Sequence, residues 1–181
     1  MPYLIMASLN SVSNLRRILN RDKFNNFITD AELQEFLDEA NQDLYNIINR
    51  RYELDVHLVR YDRKGNLQRR YEIILSPLLS VDSVEVNDEE VNASEYDIDL
   101  DKGNITFTEG YDLSPNAEVK IYSTPKIYES AELYLARYNV LAMLNNENSE
   151  GETQPIVANA EKTKDNYINR ILNKPVVTSY S

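Results

Sequence analysis

Residues 28–52 constrain the fold more than any other part of the sequence. Thr29 stands where a helix N-cap belongs, and Glu32 completes a capping box, in which each side chain accepts a hydrogen bond from an otherwise unpaired backbone N–H group. Ile28 before the cap and Leu33 inside the helix form a hydrophobic staple. Apolar residues then recur at helical spacing, at Leu33, Phe36, Leu37, Ala40, Leu44, Ile47 and Ile48. This pattern predicts an amphipathic α-helix whose apolar stripe faces a core.

The composition is that of a globular chain without covalent cross-links. The 181 residues are 42% hydrophobic and 27% charged, which fits one domain, or one domain with an insertion. The sequence contains no cysteine, so disulfides and thiolate metal sites are excluded. No apolar run approaches the roughly 20 residues of a membrane-spanning helix, and no signal-peptide pattern is present, so we expect no membrane association.

Charge is distributed unevenly along the chain. The net charge is −11, yet residues 1–27 carry four basic side chains and one acidic side chain. Residues 76–125 carry twelve acidic and two basic side chains. Such an acidic region repels nucleic-acid phosphates and attracts basic partners. We therefore expect that the middle of the chain does not grip DNA.

The remaining patterns divide the chain into helical and extended parts. Helical spacing occurs in residues 11–20, returns after Pro125, and continues beyond Pro155 after a polar loop at residues 145–153. Between these parts, residues 54–75 predict a β-hairpin with its loop around Gly65, and further short strands follow. One of them alternates Tyr96, Ile98 and Leu100 with Asp97, Asp99 and Asp101, which predicts one apolar and one acidic face.

These elements predict an α+β fold. We expect a helical bundle of about four helices from residues 1–52 and 126–174, with a small antiparallel β-sheet inserted between them at residues 53–125. Residues 175–181 follow Pro175 as an extended C-terminal tail. The candidate partner-facing residues are basic and lie at or near the hairpin tip, namely Arg63, Lys64, Arg69 and Arg70, although charged loops more often only keep a sheet edge soluble.

We find no catalytic or cofactor-binding constellation in the sequence. His57 is the single histidine, so a histidine-based triad is excluded, and we expect an ordinary sheet residue. Asp97, Asp99 and Asp101 have the first spacings of a calcium loop, but its sixth and twelfth positions are Lys102 and Thr108 instead of glycine and a carboxylate. Strand alternation explains these aspartates more simply. We therefore expect no enzyme and no cofactor.

The order of two helices, a β insertion and two helices resembles the head–tail connector proteins of long-tailed bacteriophages, which are also called adaptor or head-completion proteins. The resemblance lies in the helix from Ile28 to Ile48 and in the pattern of strand-forming segments between Leu75 and Tyr122. These segments contain Val81, Val84 and Val86 and residues 95–99, 103–107 and 119–122. The long first hairpin and the polar loop at residues 145–153 depart from the family pattern.

The resemblance implies a non-enzymatic structural protein of the virion. It implies a ring of about twelve subunits, docked between the portal protein and the stopper or tail-completion protein, at the head–tail interface of a particle assembled in the host cytoplasm. DNA would pass through the channel without specific binding. Family members grip the portal with their C-terminal segment, which here assigns the portal contact to Val176, Val177 and Tyr180.

Two other classes of function remain open. One is a cytosolic regulatory module that binds a basic protein through the acidic residues 82–118. The other is a carboxylate-dependent nuclease, which requires a bound divalent metal ion. Ring formation distinguishes the connector from the regulatory module, and metal-dependent cleavage of nucleic acid would favour the nuclease.

Overall fold

The computed structural model of the protein describes residues 8–21, 28–49, 52–147 and 154–174, and it has the predicted α+β fold. The helices are α1 (Val12–Arg21), α2 (Asp30–Ile48), α3 (Lys126–Glu147) and α4 (Gln154–Leu172). The strands are β1 (Glu53–Leu58), β2 (Arg70–Glu72), β3 (Leu78–Val86), β4 (Glu89–Glu90), β5 (Tyr96–Asp99), β6 (Asn104–Phe107) and β7 (Glu118–Pro125). None of the described helices is long and apolar enough to cross a bilayer.

The chain divides into two compact units. The helical unit consists of Met1–Arg50 and Tyr128–Asn173, and the β unit consists of Arg51–Ile127 and Lys174–Ser181.

In the helical unit, the predicted capping box sets the start of α2. The Thr29 N–H donates to the Glu32 carboxylate at 2.7 Å, and the Thr29 hydroxyl accepts from the Glu32 N–H at 3.3 Å. At the other end, Asn49 adopts a left-handed φ of 52°, and its N–H donates to the Tyr45 carbonyl. Asparagine tolerates this conformation and ends the helix there. The helix therefore ends at Ile48, the last residue of the predicted apolar stripe.

The apolar stripe of α2 faces the core as predicted, except at two positions, Ile47 and Asn41. Leu33, Leu37, Ala40, Leu44 and Ile48 are buried, whereas Ile47, which we expected in the stripe, is 44% exposed. Asn41 is buried in addition. The buried residues of α3 are Tyr128, Ala131, Glu132, Leu135, Ala136, Val140, Leu141 and Leu144.

The β unit contains two small antiparallel sheets, where the sequence predicts one. The first has the strand order β1-β7-β3-β4, and the second has the order β2-β6-β5. Buried aromatic and aliphatic residues from both sheets form one core, in which Tyr71 meets Phe107 edge to face at 5.9 Å. Burial raises the pKa of Tyr71 to about 12, and its hydroxyl donates to the Gln68 carbonyl at 2.8 Å.

The predicted hairpin over residues 54–75 is wrong in its pairing. β1 pairs with β7, and β2 pairs with β6, so the two expected partners belong to different sheets. Only the tip is a hairpin, where Tyr61 faces Leu67 in a single antiparallel bridge. The turn signals around Gly65 were therefore sufficient to place the tip, but the partners of the flanking strands come from distant parts of the chain.

One glycine is required by close packing in this unit. Gly103 lies in the turn before β6 with a φ of 63°, and a Cβ atom there would stand 2.2 Å from the Ser76 Cβ. Only glycine fits such an approach without moving the backbone. The turn that the sequence predicts at Gly103 is thus also a packing contact between two loops.

Candidate interaction surfaces

Hydrogen bonds to the side chain of one aspartate, Asp62, hold the turn of the hairpin tip, residues 60–68. The Asp62 Oδ1 accepts from the N–H groups of Lys64 and Asn66 at 2.8 and 2.9 Å, and these bonds hold the pKa of Asp62 below its usual value. Gly65 supplies the positive φ of 83° that the turn needs. Next to the turn, the Gln68 N–H donates to the Arg60 carbonyl at 2.7 Å. The backbone of the tip is therefore well defined.

The tip exposes cations and one aromatic ring. Arg63 and Lys64 are exposed, and neither forms an ion pair with another residue in the part of the chain that the structure describes. Tyr61 is 61% exposed beside them. Sequence reasoning did not single out Tyr61, although an aromatic residue next to turn signals is a visible cue. Arg70 is also exposed, on β2.

Arg69 does not have the partner-facing position that we expected. Its side chain is half-buried, and its guanidinium donates to the carbonyls of Thr108 and Tyr111, the second at 3.0 Å. These bonds brace the loop that follows β6. Arg69 therefore has a structural role, and the accessible basic residues of the predicted set are Arg63, Lys64 and Arg70.

A second surface lies on β5 and the turn after it, and we call its residues Asp97, Ile98, Leu100 and Asp101 the acidic edge. β5 ends the order β2-β6-β5, so it is an edge strand of its sheet. On the predicted apolar face of this strand, Ile98 and Leu100 are 42% and 38% exposed. Asp97 and Asp101 are exposed as well. The edge position explains this exposure, because no strand covers the outer side of β5 in the described residues.

The aspartate triplet shows no cation-binding geometry. Asp99 accepts from the Lys102 ammonium at 2.8 Å, and this hydrogen bond holds the pKa of Asp99 below its usual value. Among the described residues, no group of three or more acidic or histidine side chains is arranged to hold a metal ion.

Strand β1 carries a polar cluster that sequence reasoning missed. Glu53 and Asp55 are buried on its inner side, whereas Leu54 and Val56 are exposed, the reverse of the usual arrangement. The Lys174 ammonium lies 3.3 Å from the Glu53 carboxylate and 3.2 Å from that of Asp55, and it donates to the Leu54 carbonyl. Lys174 compensates the burial of the two carboxylates. Nothing in the local pattern signals this partner, which lies 119 residues from Asp55.

His57 lies on β1, in agreement with the expectation of an ordinary sheet residue. Its ring centroid is 5.4 Å from that of Tyr71. Burial lowers the pKa of His57, Asp55 acts in the opposite direction, and Lys174 lowers the pKa further. The Nε2 atom is buried without a hydrogen-bond partner among the described residues. The neutral imidazole is therefore the form that this environment favours.

The proposed portal residues Val176, Val177 and Tyr180 lie outside the described residues. The described chain ends at Lys174, whose side chain is held on β1. No protein-family model matches this chain, and no curated protein matches its sequence. Function is therefore inferred from the fold and from these surfaces.

Proposed function

We propose that this protein is a non-enzymatic head–tail connector subunit, which forms a ring on the portal protein and extends the DNA channel toward the stopper or tail. The observation that carries this proposal is the arrangement of the chain. Helices from both ends of the sequence contribute to one compact unit, and the strands between them form a second. This is the arrangement on which the resemblance to connector proteins depends.

The charge of the β unit supports the same proposal. Asp97 and Asp101 are exposed, together with Glu89 and Glu90 on β4. Carboxylates beside a channel repel the phosphates of passing DNA, so the DNA slides without adhering. The virion is the location that this function requires.

The anchored Lys174 supports a role for the tail in docking. Its ammonium is held by two buried carboxylates, so the segment that follows starts from a defined place on the β unit. A short β-prone segment such as residues 175–181 can add to a groove or sheet of a partner. We propose Val176, Val177 and Tyr180 as the residues that contact the portal.

The mass of the protein in solution tests this function. Light scattering is measured across a concentration range, with the chain alone and with the purified portal of the same virus. We expect rings with closed symmetry, or binding to the portal in about twelve copies, the number that the resemblance to connector proteins implies. A chain that neither forms rings nor binds the portal would contradict the proposal.

The exposed acidic edge also favours the alternative, a monomeric regulatory module that binds a basic protein. Such a module would bind its partner at low salt, lose it at high salt, and ignore the portal. A charge reversal at Asp97 and Asp101 would then abolish binding to the basic protein. The portal experiment separates the two proposals.

A further inference from the structure

We propose that the hairpin tip of one copy docks on the acidic edge of a second copy, so that Arg63, Lys64 and Tyr61 meet Asp97, Asp101, Ile98 and Leu100. This inference rests on the proposed ring and names the surfaces that would join neighbouring subunits. The partner is thus another copy of the same chain, recognised by charge and by apolar contact.

The two surfaces are complementary in charge. The tip presents the ammonium of Lys64 and the guanidinium of Arg63, both exposed. The acidic edge presents the carboxylates of Asp97 and Asp101, also exposed. Across the described residues, none of these four side chains forms an ion pair within its own chain. Opposite charges of this kind steer association and fix its orientation.

The two surfaces also match in apolar character. Tyr61 is 61% exposed at the tip, and Ile98 and Leu100 are 42% and 38% exposed at the edge. Tyrosine is enriched at protein interfaces because its ring is apolar and its hydroxyl tolerates water. Because Asp97 and Ile98 project from opposite sides of β5, the tip would straddle this free edge, with Tyr61 on the aliphatic side and a cation on the carboxylate side.

The fold keeps the two surfaces apart within one copy. β5 forms one border of its sheet, and β2, which follows the hairpin tip, forms the other. β6 lies between them, so about 10 Å separates these strands at the spacing of sheet neighbours. The charges at the tip and at the edge are thus left for contacts with other molecules.

A contact between two different surfaces determines the kind of assembly. The tip of one copy occupies the edge of the next, whose own tip stays free, so the contact is heterologous and generates rings or filaments. A reciprocal two-fold dimer, in which each tip occupies the edge of the other copy, would instead leave no tip free and would stop at two copies. Each surface consists of only three or four side chains, so we expect the contact to bury less than the roughly 800 Å² per partner of a standard interface and to be weak and salt-sensitive. Closure of a ring multiplies such weak contacts.

A charge-swap experiment on the full chain tests this inference. The tip variant carries Arg63→Glu and Lys64→Glu, and the edge variant carries Asp97→Lys and Asp101→Lys. Each alone should lose self-association, because its two surfaces then have the same sign. An equal mixture should recover association, since the basic tip of the edge variant can dock on the acidic edge of the tip variant. Sedimentation velocity at low salt measures this with and without portal, and circular dichroism checks folding.

The control reverses two exposed carboxylates elsewhere in the same unit, Glu109→Lys and Asp112→Lys, and should associate like the unaltered chain. The inference is overturned if either charge variant associates normally, if the mixture of folded variants does not recover, or if the unaltered chain never self-associates, alone or on the portal. Normal occupancy of the portal by both variants would leave the connector function standing without this contact. Recovery in the mixture by a chain that ignores the portal would leave the contact standing without that function.

Discussion

At the scale of single residues, the buried polar groups determine local structure that apolar patterns do not reveal. The carboxylate of Glu132 is fully buried in the helical unit. One oxygen accepts from the backbone and side-chain amides of Asn10 at 3.0 and 3.2 Å. The other accepts from the Leu9 N–H at 2.9 Å and from the Asn41 side chain at 2.6 Å. Glu132 therefore holds the segment before α1 and the middle of α2 on α3.

Removal of this carboxylate should destabilise the protein strongly. The change Glu132→Ala leaves the buried amides of Asn10 and Asn41 without their acceptor, which we expect to cost about 3 kcal/mol or more of unfolding free energy. Urea unfolding measures this loss. Glu129→Ala, at a half-buried position on the same helix, is the control and should cost much less. Equal losses in the two variants would contradict the role of Glu132.

His57 should make stability depend on pH. Its folded pKa lies below the ordinary value of 6.5, so below about pH 6.5 the unfolded chain binds a proton more readily than the folded chain. The contribution of the neutral ring is therefore present above pH 6.5 and is lost as the pH falls toward the folded pKa. The unfolding free energy of His57→Gln, compared with the unaltered chain at pH 7.5 and 5.5, measures this. A difference that is the same at both pH values would refute the prediction.

At the scale of secondary structure, α2 shows which features of a helix a periodic pattern predicts and which it does not. Its capping box sets the first residue, and its apolar stripe selects the buried face. The pattern does not distinguish the centre of the stripe from its margin, where Ile47 remains exposed. It also gives no sign that Asn41 is buried, because the partner of that amide, Glu132, lies on another helix.

Truncations along α2 should separate these positions. Leu37→Ala and Leu44→Ala remove fully buried side chains, and each should cost about 2–5 kcal/mol because a cavity remains. Ile47→Ala is the matched control on the same helix and should cost much less, since its side chain is already partly in water. Thermal or urea unfolding gives the three values. A similar loss at Ile47 would mean that its exposed surface is covered in the protein in solution.

At the scale of the whole molecule, the C-terminal tail connects the fold to the proposed function. The β unit includes Lys174, whose ammonium compensates Glu53 and Asp55. Pro175 follows directly, so a chain that ends at Lys174 keeps the anchor and loses only the tail. The anchor and the docking segment can thus be tested separately.

Deletion of residues 175–181 should therefore leave stability almost unchanged and abolish docking to the portal. Unfolding measurements and co-sedimentation with the portal give the two results. Lys174→Met in the full chain is the complementary variant, and it should lower stability because two buried carboxylates lose their cation. Unchanged docking after the deletion would exclude the tail as the portal contact.

Local signals in the sequence were sufficient to locate the helices, strands and turns. They were insufficient to predict which strands pair and which side chains meet. The hairpin shows this clearly, because turn residues around Gly65 placed the tip, while β1 and β2 joined different sheets. The candidate basic surface was partly found, since Arg63 and Lys64 are exposed at the tip. Arg69 was misjudged, because its carbonyl partners at Thr108 and Tyr111 are about forty residues away and no local rule finds them.

The sequence by itself determined the four helices, the start of α2, the strand-forming middle and the separation of charge, because capping, periodicity and turn chemistry act within a few residues. Only the tertiary structure decided the division into two sheets, the inward carboxylates of β1 and the exposure of Tyr61, Ile98 and Leu100. Those features depend on which distant segments meet. Burial is a property of the assembled chain, since a carboxylate such as Asp55 can be buried only where a cation such as Lys174 arrives to compensate it.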